Sequence, residues 1–241
     1  MKKYLPKLVA LLALAVPLLA PANEAVIRKN LAEKLTNFPK LDEVRPSPMP
    51  GLWEVRIGNE IRYTDATGSF LIEGDLIDLK AMRNLTQDRI EKINRIEFSA
   101  LPLKDAVVWK TGTGARKIAV FADPNCGYCK QFERSLQNVK DLTVYTFVVP
   151  ILGGDSPDKA RAVWCAKDRT ASWKGWMIEG KPLVKPLSAC DDAAIQRNAE
   201  LTRRYHINGT PGIFFEDGSR SPGALTLEQL ERRLADIAKS S

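Results

Sequence analysis

Two apolar runs, Ile118-Ala119-Val120-Phe121 and Leu142 to Val149, bracket a stretch in which Phe132, Leu136 and Val139 fall on one helical face. Strand, helix, strand at this spacing is the βαβ unit of a parallel sheet, because parallel strands need a crossover long enough for a helix. Where the first strand ends and the helix begins stands Cys126-Gly127-Tyr128-Cys129. A helix start presents orphan N–H groups and the positive end of the macrodipole, so an anion is favoured there. Thiolate is the reactive form of cysteine, and Cys-x-x-Cys thiols at helix starts have lowered pKa values. Cys126 is therefore the expected nucleophile. Cys129, one turn further in, is the shielded thiol that would resolve a mixed disulfide. Gly127 lets a visiting chain approach, and Tyr128 gives the loop an amphipathic surface.

Other uses of the pair fit less well. Zinc would need a second Cys-x-x-Cys or a His-x-x-x-His, but the remaining cysteines, Cys165 and Cys190, are far apart and the only histidine is His206. A Cys–His hydrolase built on His206 leaves Cys129 without a purpose. A permanently closed disulfide over so short a loop is strained and readily reduced. Reversible thiol–disulfide exchange remains, and it calls for neither metal nor cofactor.

The chain begins MKKYLPKLVALLALAVPLLAPANEAV. Lys2, Lys3 and Lys7 precede an uncharged run, Leu8 to Leu19, and Ala20-Pro21-Ala22 supplies the small residues of a cleavage site. This is the layout of a signal peptide at 1–22, with the mature chain starting at Asn23. The apolar run is shorter than the ~20 residues a membrane span needs and is broken by Pro17. Export places the cysteines in a secreted or periplasmic compartment where disulfides persist, and an even count of 4 suggests two pairs. Cys165 lies on an apolar helix face beside Trp164, and Cys190 precedes a helix starting at Asp191-Asp192. Neither has the placement that activates a thiolate, so they read as a structural disulfide tying a helical insertion together. Loop closure there is worth ~3 kcal/mol. The net charge is +7; without the three signal lysines it is +4. With no basic block that could track phosphates, nucleic acid is excluded as a partner.

Ahead of the cysteine domain the pattern changes. Ile27, Leu31 and Leu35 mark a helix stopped by Pro39, and a proline cluster follows at Pro46, Pro48 and Pro50. Trp53, Val55 and Ile57, a Gly58-Asn59 turn, then Ile61 and Tyr63, an Asp65-to-Gly68 turn, and Phe70 and Ile72 form an antiparallel meander. This unit, residues 23–83, is small enough to be marginal alone and leaves strand edges that need cover. Self-association would supply that cover, as would packing on the second domain. Asn84 or Thr86 could cap a charged helix bearing Ile90, Ile93 and Ile96, read as a linker helix over 84–102. The second domain spans 103–241. Beyond its βαβ core, Ser156-Pro157 is expected to cap a helix bearing Val163, Trp164 and Cys165. More helix is expected around Trp173 to Ile178 and from Asp191 to Tyr205. Then come a strand, an Asp217-Gly218 turn, and a last helix with a Thr226-x-x-Gln229 capping box.

Taken together, Cys126-Gly-Tyr-Cys129 after a strand, Trp164-Cys-Ala-Lys-Asp168, Ser188-Ala-Cys190 and Gly209-Thr210-Pro211 resemble the DsbC-type periplasmic disulfide isomerases. The resemblance covers essentially the whole mature chain, in its first domain by layout more than by motif. It implies a mixed α+β and α/β architecture. An N-terminal helix-plus-antiparallel-sheet dimerisation domain would join, through the linker helix, a C-terminal thioredoxin-like domain with a helical insertion. It further implies a homodimer whose cleft holds misfolded, disulfide-containing exported proteins. Cys126 would attack and Cys129 resolve, Thr210-Pro211 would form a cis-proline loop that binds substrate backbone, and Cys165 would pair with Cys190. The family's electron donor, a membrane reductase of the DsbD type, is the implied partner. Competing readings are a DsbG-like reductase and chaperone acting on sulfenic acids, a non-catalytic holdase, and an oxidase.

Overall fold

The computed structural model describes residues 19–35, 39–186, 189–221 and 223–240. Most of the expected signal segment, residues 1–18, lies outside them. The chain divides into two compact units, Met1–Gln87 and Asp88–Ser241. Among the described residues no helix is long and apolar enough to cross a membrane.

In the first unit, helix α1 (Leu19–Lys34) passes through the expected cleavage site and buries Ile27 and Leu31. Leu35 falls just beyond its end and is exposed. The sheet has order β1-β2-β3-β4, from β1 (Glu43–Pro46), β2 (Leu52–Ile57), β3 (Glu60–Asp65) and β4 (Leu71–Ile72), all antiparallel. Register pairs Val44 with Val55, and Val55 with Arg62. Ile27, Leu31, Leu41, Val44, Trp53 and Val55 form the core between helix and sheet. Gly58, at φ 58°, is the first central residue of the β2–β3 hairpin, where glycine takes the left-handed conformation without strain. Gly68 (φ 67°) sits 3.1 Å, measured from a would-be Cβ, from the Ile27 backbone, so α1 can rest directly on that turn.

The proline cluster hides β1, which ends at Pro46 on the sheet edge, where a missing N–H is tolerated. The alternation in β2 is also imperfect. Glu54 is buried beside Trp53 and Val55 and pairs with Arg45 at 3.3 Å. After β4 a two-stranded ribbon, β5 (Ile77–Asp78) with β6 (Arg83–Asn84), leads to α2 (Leu85–Ile93). Asn84 Oδ1 accepts the Gln87 N–H and so caps α2. Thr86 does not cap it; its hydroxyl is buried, 2.6 Å from the Tyr63 hydroxyl, and accepts the Leu76 N–H.

The linker segment 84–102 is helical in the α sense only over α2's nine residues. The second unit already begins at Asp88, and the chain beyond α2 packs into it: Ile96 N–H donates to the Gly218 carbonyl, and Phe98 and Leu101 are buried with Phe121, Phe147 and Phe214. Ile96 therefore belongs to an extended strap and not to the helix.

The sheet of the second unit has order β11-β10-β8-β9-β7, from β7 (Val107–Lys110), β8 (Arg116–Ala122), β9 (Leu142–Val148), β10 (Gly212–Phe215) and β11 (Arg220–Ser221). Only β8 and β9 run parallel, with Val120 opposite Thr146, and helix α3 (Gly127–Leu136) connects them as the sequence pattern requires. Strand β8 is buried on both faces. Ile118, Val120 and Ala122 meet α3, α4 (Ser156–Trp164), α5 (Arg169–Met177) and α7 (Leu227–Ser240), while Ala119 and Phe121 face α6 (Ala193–Arg204). Strand β7 is an addition to the sequence reading, which starts the sheet at Ile118. The helix α4 start also differs by a residue: Asp155 holds the cap position, Pro157 lies in the first turn, and the Ser156 hydroxyl turns inward. At α7 the capping box forms on both sides, Thr226 N–H to Gln229 Oε1 at 2.9 Å and Gln229 N–H to Thr226 Oγ1 at 3.2 Å.

Candidate active site

Cys126 is the N-cap of α3. Its backbone is extended (φ −71°, ψ 115°), and its Sγ accepts the N–H of Cys129 at 3.1 Å. Its thiol can donate to the Thr210 carbonyl at 3.3 Å. Both sulfurs are unbonded thiols and both are buried, Cys126 at 5 % and Cys129 at 1 % exposure. The asymmetry between them is thus more electrostatic than steric. The Cys129 thiol, hydrogen-bonding to Cys126, works against burial and lowers the Cys126 pKa to about 6; Thr210 and the N–H groups of Cys129 and Tyr128 add to the effect. Burial pushes the Cys129 thiol far up, and its hydrogen bond to Cys126 and the charge on that sulfur push it further. One sulfur is an anion at neutral pH and its neighbour keeps its proton.

Thr210-Pro211 is a cis peptide bond, as the resemblance implied. Pro211 is buried, and the Thr210 hydroxyl is enclosed without a hydrogen-bond partner, close enough to both sulfurs to favour their anions. Gly127 has open space around it, and Tyr128 is 71 % exposed, so the Gly-Tyr dipeptide forms the accessible rim.

Sequence reasoning missed the support beneath this loop. Asp123, directly after the apolar run of β8, is fully buried. Its Oδ1 accepts the Asn125 N–H and the Ser156 hydroxyl, each at 2.7 Å, its Oδ2 accepts the Leu152 N–H at 2.9 Å, and its carbonyl accepts the Cys126 N–H at 3.1 Å. Asn125 reaches Asp155 and Lys159, and Trp176 of α5 donates to the Pro124 carbonyl at 2.6 Å. The Lys130 and Lys159 ammonium groups lie 4.1 and 4.5 Å from the centre of the Trp176 ring. A carboxylate at the end of a buried strand was the available signal, since an unpaired charge does not survive there.

Cys165, at the C-cap of α4, is disulfide-bonded to Cys190, 25 positions on, with Cα atoms 5.9 Å apart. Trp164 Nε1 donates to the Asp191 carbonyl and Arg169 lies over the Trp164 ring, closing the insertion around the bond. His206 stands exposed at the turn after α6. Among the described residues no group of histidines, cysteines and carboxylates could hold a metal ion.

A thioredoxin-like sheet with a thiolate-forming cysteine at the cap of the helix that follows its central strand defines a thiol–disulfide oxidoreductase. Comparison with known proteins narrows the class. Residues 103–238 match the thioredoxin-like domain family, and residues 18–87 match the disulfide bond isomerase protein N-terminal domain. A protein of Bordetella parapertussis described as a probable thiol:disulfide interchange protein DsbC is 43 % identical over 216 residues, covering 89 % of this chain and 76 % of that one. The Escherichia coli K12 thiol:disulfide interchange protein DsbC is 29 % identical over 227 residues, 91 % of each chain. The crystal structure of a disulfide interchange protein from Neisseria gonorrhoeae aligns with TM-score 0.52 and 35 % identity over 56 % of this chain and 97 % of that one. The chain belongs to the DsbC family of thiol:disulfide interchange proteins.

Proposed function

We propose that this protein is a periplasmic disulfide isomerase and reductase that rearranges wrong disulfides in exported proteins. The observation that carries the proposal is the split between the two sulfurs: Cys126 ionises near pH 6, while Cys129 is held as a thiol. The Cys126 thiolate attacks a client disulfide, forming a mixed disulfide and freeing one client sulfur as a thiolate. That sulfur can attack another client disulfide, and the client thiolate released by that exchange finally displaces Cys126 from the mixed disulfide, which leaves the client isomerised and the enzyme reduced. If rearrangement stalls, Cys129 displaces the client, which departs reduced while Cys126 and Cys129 become a disulfide. Re-reduction then takes two electrons from a membrane donor of the DsbD type.

The cis Thr210-Pro211 loop beside Cys126 supports a role in seating client backbone next to the reacting sulfur. A homodimer with a client-holding cleft and chaperone activity is supported by the first unit. Phe70, Ile72, Ile77, Leu79 and Met82 are all exposed there on or beside the short strands β4, β5 and β6. Apolar side chains gathered on strand edges call for a covering partner. Cys165–Cys190 serves as the structural bond. Refolding of a scrambled multi-disulfide protein tests the reading: the native pairing should be recovered faster with the enzyme than with a monothiol at equal thiol concentration. Recovery no faster than with that monothiol would refute isomerase activity.

A further inference from the structure

Three helices meet beside the redox pair and gather positive charge there. Lys130 follows Cys129 on α3, Lys159 lies on α4 and Trp176 on α5. The two ammonium groups stand over the same indole, 4.1 and 4.5 Å from the ring centre, where the π face attracts each of them. The cluster is tied to the active-site loop at three successive residues. Trp176 Nε1 donates to the Pro124 carbonyl at 2.6 Å, Lys159 Nζ to Asn125 Oδ1 at 2.7 Å, and the Lys130 N–H to the Cys126 carbonyl at 3.1 Å.

The charges in this cluster do not balance. Arg134 is four residues after Lys130 on α3, a spacing at which like charges destabilise a helix. Asp155 pairs with Lys159 at 2.9 Å. Among the described residues no carboxylate pairs with Lys130 or Arg134, and Arg134 Nε donates instead to the Ile178 carbonyl at 3.4 Å. Burial, then the charges of Lys159 and Arg134, hold the Lys130 pKa below the ordinary lysine value. The surface continues with the same sign. Trp176 also lines a groove of about 440 Å³ together with Leu183 and Val184, and the charged side chains of that lining are Lys167, Lys181 and Lys185, with no acid among them. Of these, Lys181 is paired, with Glu179. A carboxylate arriving at Lys130 and Lys159 would relieve their repulsion through charge-assisted hydrogen bonds.

We propose that Lys130 and Lys159, held over Trp176, form a subsite for a carboxylate of the client chain, an aspartate or glutamate close in sequence to the cysteine that Cys126 attacks. The inference rests on the role of Cys126 as nucleophile and adds a substrate preference to it: disulfides flanked by acidic residues react first. The occupant is a peptide carboxylate and not a free anion, because the subsite adjoins both the reacting sulfur and an apolar groove. One polypeptide fills all three places at once. Its cysteine meets Cys126, its carboxylate meets the lysines, and an apolar neighbour lies against Leu183 and Val184.

The test is the rate at which the reduced full chain attacks short peptides whose single cysteine is joined by a disulfide to an aromatic thiol. Attack on the peptide sulfur releases the coloured aromatic thiolate and leaves the peptide on Cys126. Three peptides carry Glu, Gln or Lys beside the cysteine, and a fourth carries its Glu at the far end. Each rate is divided by that of the same peptide with a small neutral monothiol, which removes differences in intrinsic reactivity. At low ionic strength the expected order is Glu, Gln, Lys. The adjacent Glu should be at least about threefold faster than Gln, the size of effect an exposed ion pair gives, and the remote Glu should match Gln. Lys130→Met keeps a side chain over Trp176 without the charge, and should bring the ratio of Glu to Gln rates toward one. Lys130→Arg should retain the ratio, Lys130→Glu should favour the Lys peptide, and Lys159→Met should repeat the loss independently. Equal normalised rates for Glu and Gln in the wild-type chain overturn the proposal, as does a Glu advantage that survives unchanged in Lys130→Met. A remote Glu as fast as the adjacent one also overturns it, since steering by overall charge needs no subsite. No colour release by the wild-type chain, or full release by Cys126→Ser, would instead defeat the assignment of the nucleophile.

Discussion

The Cys129 N–H donates to the Sγ of Cys126 at 3.1 Å, so the helix that carries the pair is capped by the sulfur that ionises. Hydrogen bonds to an anion are shorter and stronger than those to a neutral group, so the cap tightens when the proton leaves. Cys126 alkylation and its ultraviolet thiolate absorbance should therefore inflect near pH 6, with Cys129 remaining unmodified in the folded chain. Preferential labelling of Cys129 in a peptide map would reverse the assignment.

Because the Cys129 thiol is the largest contributor to the lowered Cys126 pKa, Cys129→Ala should move that inflection upward. A hydrogen bond to a charged group is worth ~1.5–3 kcal/mol, which corresponds to a rise of roughly one to two units. Cys129→Ser, lacking the resolving sulfur, should accumulate mixed disulfides with clients, visible on non-reducing gels.

Glu133, buried on α3 with its Oε1 accepting the Trp173 indole N–H at 2.7 Å, makes a prediction about stability. Burial raises its folded pKa to about 7, above the ordinary value of 4.5 that it keeps in the unfolded chain, so the contribution is full below pH 4.5 and is lost as pH rises through 7. The wild-type unfolding free energy should fall by roughly 3 kcal/mol over that window relative to Glu133→Gln. Denaturant titrations of both proteins at the two ends measure it. A wild-type curve parallel to that of the variant would show that the carboxyl is not held protonated.

Replacing both Cys165 and Cys190 by alanine opens a loop of 25 positions. Loop-closure entropy puts the loss at roughly 3–4 kcal/mol. The melting temperature should drop while the Cys126–Cys129 equilibrium with glutathione stays close to that of the wild type. A large change in that equilibrium would show that the insertion is coupled to the chemistry.

For assembly, light scattering on the intact chain should give a dimer mass. The fragment from Asp88 onward should be monomeric, still reduce small disulfides, and lose most isomerase activity. The cut belongs at Asp88 and not near Leu103, because Phe98 and Leu101 are core residues of the second unit. A monomeric intact chain at micromolar concentration would sink the cleft hypothesis.

What the sequence showed and what it hid have physical causes. The βαβ core was legible because β8 is buried on both faces from Ile118 to Ala122 and β9 from Thr146 to Val148, and strands so buried read as predominantly apolar runs. The cysteine pair was legible because its spacing and its place at a helix start are both local. Strands β1 and β7 were missed because each is four residues long, one among prolines and the other alternating buried and exposed side chains. Asp123 and Glu133 were missed for a different reason. A carboxylate in a sequence reads as solvent-facing until the partners that bury it, Ser156 and Leu152 for one and Trp173 for the other, arrive from more than twenty residues away.

The sulfur cap has a consequence for how the protein's appetite for electrons can be measured. Closing the Cys126–Cys129 bond removes the anion that holds the first turn of α3, so oxidation loosens the helix that performs it. Folding and oxidation form a closed thermodynamic cycle. The difference in folding free energy between the dithiol and disulfide forms must equal the difference in oxidation free energy between the folded protein and its unfolded chain. Unfolding curves of the two forms, with no redox buffer present, therefore act as a potentiometer. The margin by which the dithiol outlasts the disulfide, beyond the loop-closure effect on the unfolded chain, is the pull the cap exerts toward the reduced state.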